Sequence, residues 1–174
     1  MKKIQIGVMG SAGDMGYTEY AEKVAKEIGA CIAKSGNILV FGAEKDCNSL
    51  STVAARSARE AGGLTVGVTY GKGMEIFDPQ CADVVIATGL VRGGGRETSL
   101  VLSCDAIICI GGGSGTLNEM LVAYQSRIPI FAIKNTGGWS DKIGGQYLDD
   151  RKTLKVELCE KAKEALDRVI EPFA

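Results

Sequence analysis

Asp105-Ala-Ile-Ile-Cys-Ile-Gly-Gly-Gly-Ser-Gly-Thr-Leu-Asn-Glu119-Met120 is the stretch that decides the fold. Ala106 to Ile110 is short and apolar and reads as a buried strand. It runs straight into Gly111-Gly112-Gly113-Ser114-Gly115-Thr116, after which Leu117, Met120, Leu121 and Tyr124 recur at helical spacing. A strand, a glycine loop and a helix N-terminus in succession form an anion site. The glycines let backbone approach a ligand closely, and the first helical N–H groups and the helix dipole point at negative charge. Ser114 and Thr116 add hydroxyl donors, and Glu119 projects from the first turns of the helix. The bland alternative is a tight strand-to-helix turn. Four glycines and two hydroxyls in six residues favour a phosphate or similar anion site at Gly112, Gly113, Ser114, Gly115 and Thr116.

Outward from this stretch the chain alternates strand and helix signals. Ile4–Met9 is a strand ending at Gly10-Ser-Ala-Gly13, followed by a helix from about Thr18 to Lys34. Asn37–Phe41 is a second strand. Asn48 or Ser49 caps a helix running to Ala61. Leu64–Thr69 and Asp83–Thr88 are further strands, and a helix from about Arg96 to Cys104 precedes the Ala106 strand. Pro129–Ile133 is another strand, Asn135–Asp150 a long polar excursion, and Lys155–Ile170 a last amphipathic segment. Repeated βα units predict an α/β fold: a single Rossmann-like three-layer domain over 1–174, with a mainly parallel sheet flanked by helices. Ligands bind such sheets outside the carboxyl ends of the strands.

Composition agrees with one soluble domain. The chain has 174 residues, 45% hydrophobic and 24% charged, with a net charge of −1. That balance leaves no basic footprint for nucleic acid or an acidic membrane surface. The apolar stretch after Lys2-Lys3 is too short for a secretory signal, and no apolar run reaches membrane-spanning length, so a cytoplasmic location is expected. The six cysteines are scattered without a CxxC pair and read as reduced, buried residues rather than metal ligands. Histidine is absent, which excludes Ser-His and Cys-His catalysis and leaves chemistry to carboxylates, Arg, Lys, hydroxyls or backbone.

Three more loops fall on the same predicted edge. Gly10-Ser11-Ala-Gly-Asp14 is a ligand loop or a plain turn, since it lacks full G-x-G-x-x-G spacing. Glu44-Lys-Asp46 reads as a solvated loop or, less simply, a ligand contact. Arg96, after Arg92-Gly-Gly-Gly, either grips a phosphate through its guanidinium or belongs to a solvated hinge.

Arg96-Glu-Thr-Ser-Leu100, Cys104-Asp105-Ala106 and Gly112-Gly-Ser-Gly-Thr-Leu-Asn-Glu119 together resemble a known Rossmann-like family. It is the lysine-decarboxylase-like family that includes the "lonely guy" nucleoside-monophosphate phosphoribohydrolases. Its signature has Arg-Lys-x-x-Met followed by Pro-Gly-Gly-x-Gly-Thr-x-x-Glu, and Arg96 and Glu119 fall on the family arginine and glutamate. Glu97 stands where those enzymes have lysine, Gly111 where they have proline, and Glu44 to Ser49 lacks their glycine-rich stretch. The mix is similar to the branch of molybdenum-cofactor-carrier-like proteins. The resemblance implies a small phosphate-bearing, nucleotide-like ligand, either a nucleoside monophosphate or a pterin phosphate, and a homodimer or homotetramer. No cofactor or metal is called for. The alternative it implies is a phosphoribohydrolase in which Glu119 serves the oxocarbenium-like sugar and Arg96 the phosphate. Restoring lysine at position 97 is expected to tighten phosphate binding.

Overall fold

Parallel strands buried on both faces need helices on both sides, and the chain supplies them in order. The computed structural model describes residues 3–173; Met1, Ala174 and Lys2 of the Lys2-Lys3 pair lie outside the described residues. The elements run β1 (Gln5–Gly10), α1 (Glu19–Lys34), β2 (Ile38–Gly42), α2 (Leu50–Glu60), β3 (Leu64–Thr69) and β4 (Val84–Ala87). They continue with α3 (Arg96–Leu102), β5 (Ala106–Ile110), α4 (Ser114–Ser126), β6 (Ile130–Ile133), α5 (Gly138–Ile143), β7 (Val156–Cys159) and α6 (Ala162–Ile170). Thr18 caps α1 by accepting from the Ala21 N–H at 3.1 Å, and Ser49 caps α2 by accepting from Thr52 at 3.0 Å.

The sheet is wholly parallel and seven-stranded, in the order β4-β3-β2-β1-β5-β6-β7. Two apolar clusters sandwich it. One joins α1, α2 and α6 to residues such as Ile6, Phe41 and Ile108; the other joins α3 and α4 to Met9, Val40 and Ile107. The molecule is thus a three-layer α/β domain of Rossmann type, as its βα alternation predicts. Order reverses between β1 and β5, so the loops leaving these two strands part to opposite faces and open a crevice at their carboxyl ends. Gly10 pairs with Ile110, which brings the two glycine-bearing loops side by side.

The carboxyl-terminal third departs from expectation. Lys155–Ile170 is not one amphipathic segment: Val156–Cys159 is the edge strand β7, and only Ala162–Ile170 is helical. Val156 and Leu158 fit either period, and the open edge of β6 selects the strand. The polar excursion Asn135–Asp150 holds the short helix α5. No helix among the described residues is long and apolar enough to cross a membrane.

Candidate functional site

A cavity of about 520 Å³ opens at this crevice, lined by parts of the loops after β1, β2 and β5 and of the segment before α3. Backbone builds one end of it. After β5 the chain turns through Gly111 (φ 62°) and Gly112 (φ 101°), a region L side chains rarely adopt, and a Cβ on Gly112 would meet the Thr116 side chain at 2.5 Å. Gly111 N–H donates to Thr136 Oγ1 (2.9 Å) and Gly112 N–H to Ser11 Oγ (2.8 Å). Their carbonyls accept from the N–H groups of Ser140 (2.9 Å) and Trp139 (3.0 Å), at the start of α5. The turn is therefore tied at every backbone polar group. α4 then begins with Gly113 as an N-cap that has no side-chain cap bond, and Leu117 N–H is bonded to Gly113 O at 3.0 Å. The N–H groups of Ser114, Gly115 and Thr116 have no partner within the helix, and these three residues line the cavity.

Side chains build the other end. Arg96 opens α3 and is only 3% exposed. Its Nη2 donates to Glu44 Oε1 at 2.8 Å and lies 3.2 Å from Glu97 Oε1. Glu97 Oε2 accepts from Gly93 N–H at 2.9 Å, which ties the glycine loop before α3 to the arginine. Arg96 Nε and Nη1 are buried without a hydrogen-bond partner. Nη1 sits over Gly42, where a Cβ would lie 2.2 Å from it. Glu119 reaches in from α4, 7% exposed, while Arg96 makes its ion pairs with Glu44 and Glu97 instead. Burial pushes the Glu119 carboxyl up to about 8; the Arg96 charge pulls it down, and Glu97 and Glu44 raise it further. At neutral pH Glu119 is mostly a neutral acid.

Of the residues singled out in the sequence, Gly10, Gly113, Ser114, Gly115, Thr116, Arg96 and Glu119 line one cavity. Ser11 and Gly112 do not: they bond each other behind its wall. Glu44 is no solvated loop residue, being 8% exposed and paired to Arg96. Glu97 does not merely weaken the field around a phosphate; it is 2% exposed and anchors Arg96, so a lysine there would face a guanidinium inside the protein. The sequence reading left Glu44 between a solvated loop and a ligand contact and named Glu97 only as a charge beside Arg96; their pairing with Arg96 is what it missed. The one signal available was that Glu44 follows a strand end aligned with the glycine loops. Among the described residues no group of three or more His, Cys, Asp or Glu side chains is placed to hold a metal ion.

Comparison with known proteins agrees with this architecture. The family described as LDcluster4, the SLOG cluster4 family, matches residues 3–166. A protein of Archaeoglobus fulgidus is 34% identical over 134 residues, covering 77% of this chain and 82% of the relative. The molybdenum cofactor binding protein from Rippkaea orientalis superposes with a TM-score of 0.83 at 26% identity, over 100% of this chain and 99% of its own. The molybdenum cofactor carrier protein from Chlamydomonas reinhardtii gives a TM-score of 0.75 at 26% identity, over 98% and 99%.

Proposed function

The chain belongs to the SLOG cluster4 family, and from that premise we propose that it binds a phosphate-bearing, nucleotide-like ligand in the cavity at the β1–β5 crevice. The ligand is a pterin phosphate or a nucleoside monophosphate. The observation that carries this is the open N-terminus of α4 in a cavity whose wall also holds Arg96, a buried guanidinium with Nε and Nη1 unpaired. A helix N-terminus favours an anion, and a buried guanidinium with free N–H groups favours an oxygen-rich partner. The volume of about 520 Å³ lies within the range of small-molecule sites, about 300–1,000 Å³. The names of the Rippkaea and Chlamydomonas relatives, a binding protein and a carrier for a molybdenum cofactor, support the same ligand class.

Thermal melting tests this. Guanosine 5′-monophosphate or 6-hydroxymethylpterin phosphate at 100 times its dissociation constant adds roughly 2.7 kcal/mol to the folded state. Gly113→Val should abolish that gain while leaving the unliganded protein nearly as stable. Gly113 has φ −94°, which any residue adopts, and the added Cβ would meet only the side-chain end of Met15, itself 63% exposed. A gain that survives Gly113→Val would mean the loop is not the phosphate cradle.

One observation favours a second reading, hydrolysis of the N-glycosidic bond of a nucleoside monophosphate. Glu119 holds its proton to about pH 8 beside a buried arginine, which suits a general acid. The C1′–N bond would break with the Glu119 proton passing to the departing base, and water would add at C1′ to give ribose 5-phosphate, its spare proton returning to the Glu119 carboxylate. Wild-type protein that releases free base, with release falling by orders of magnitude in Glu119→Gln, would establish turnover. Ligand binding without base release keeps the protein a binder.

A further inference from the structure

Away from the N-terminus of α4 the cavity is acidic. Asp14, Glu44, Glu97 and Glu119 line it against only Arg92 and Arg96. Glu44 and Glu97 are occupied by Arg96, and Glu44 also lies 3.5 Å from Arg92. Glu119 is more than nine-tenths buried, and neither Arg96 contact is made to it. It stands five residues into α4 from Ser114, about 7.5 Å along the axis from the first free N–H groups. A ligand anchored at the helix N-terminus therefore meets an acceptor, not a second anion site, one and a half turns further on. Gly10, Gly42, Gly93 and Gly113 line the cavity too, but the side-chain directions of Gly10, Gly42 and Gly113 are filled by Leu50, Arg96 and Met15.

We propose that the cavity selects a planar heterocycle carrying an amino group beside a ring N–H, the edge shared by guanine and pterins, and that Glu119 receives this edge. Two parallel N–H donors favour the ionised carboxyl, whose two oxygens match them, so below about pH 8 the Glu119 proton leaves as the ring enters. The excess of acidic groups disfavours a ring that presents carbonyl oxygens alone. The selectivity rests on the phosphate-binding reading above and adds the identity of the ring.

Isothermal titration of the whole protein with paired ligands tests it. The pairs are guanosine against inosine 5′-monophosphate, and 6-hydroxymethylpterin phosphate against its lumazine analogue, in which an oxo group replaces the amino group. The amino-bearing member should bind at least about tenfold tighter, and the ratio should shrink to about twofold or less in Glu119→Gln, whose amide NH₂ opposes the ligand amino group. Equal binding within both pairs by wild-type protein overturns the proposal. So does ribose 5-phosphate binding as tightly as guanosine 5′-monophosphate, which would place the contacts on sugar hydroxyls. A ratio unchanged in Glu119→Gln removes Glu119 from the role. If no phosphate ligand binds at all, the phosphate reading fails and the ring selectivity with it. If the phosphates bind without discrimination, only the selectivity fails.

Discussion

The loops after β5 and β2 end strands on the same edge of the sheet, yet they build their halves of the cavity from different material. The β5 loop offers backbone: Gly111 and Gly112 are locked by Ser11, Thr136 and α5, and the donors it presents are main-chain N–H groups of α4. The β2 loop offers a side chain, Glu44, whose position depends on Arg96 and, through Arg96, on Glu97. A backbone cradle is indifferent to side-chain identity until something bulky enters it. An ion network fails when any one charge changes, because each partner is left buried and uncompensated.

Substitutions should separate the two halves by size of effect. Glu97→Lys comes first, since it removes a buried counter-charge and adds a cation beside Arg96. Equilibrium denaturation should show a loss of about 3–5 kcal/mol, not the tighter phosphate binding that the family lysine suggests. Gly42→Ala comes next. Its Cβ would lie 2.2 Å from Arg96 Nη1, so the guanidinium must move. About 1–3 kcal/mol of stability should go, together with most of the anion-induced rise in melting temperature. A variant that melts and binds as wild type would show that the two ends of the cavity are uncoupled.

Titration gives a subtler contrast. Glu119 ionises near 4.5 in the unfolded chain and near 8 in the fold, so between these values the folded state binds more protons. Stability should therefore fall as pH rises from about 4.5 to about 8 and then level, and Glu119→Gln should flatten this component of the profile. Smallest is the response to thiol reagents. All six cysteines are unpaired; burial pushes the Cys81 and Cys104 thiols up to about 12, and Cys109 is raised well above its ordinary value. In native protein only the half-buried Cys31 and Cys47 should label, with stability unchanged by reductant. Labelling of Cys104 in Glu97→Lys, detected by mass spectrometry, would show that the side-chain half opens locally before the whole fold does.

The backbone half was legible in the sequence because its signals are local. A run of glycines after a buried strand names its own geometry, and the caps Thr18 and Ser49 lie beside the helices they start. In the side-chain half Arg96 and Glu119 were named from the sequence, but the ion network was not, because Glu44 and Arg96 are 52 residues apart and meet only when α3 packs against β2. Glu44-Lys-Asp46 carries three charges and resembles any solvated loop; Asp46 is exposed, and Glu44 alone turns inward. The same dependence on distant partners hid β7, whose few residues become a strand through pairing with β6. Ser11 shows the opposite case. Its hydroxyl sits beside the cavity in sequence terms but serves Gly112, 101 residues away.

The docking of α5 on the glycine turn has a kinetic consequence. Because Trp139 and Ser140 already hold the Gly111 and Gly112 carbonyls, the turn has little freedom left to surrender when a ligand arrives. Amide hydrogen exchange at Trp139 and Ser140, whose N–H groups donate to this turn, should accordingly be slow before any ligand is added, and should quicken with motions that lift α5 from it. Mobility of Gly137–Ser140, a segment that does not itself line the cavity, would then show how firmly the cradle is held.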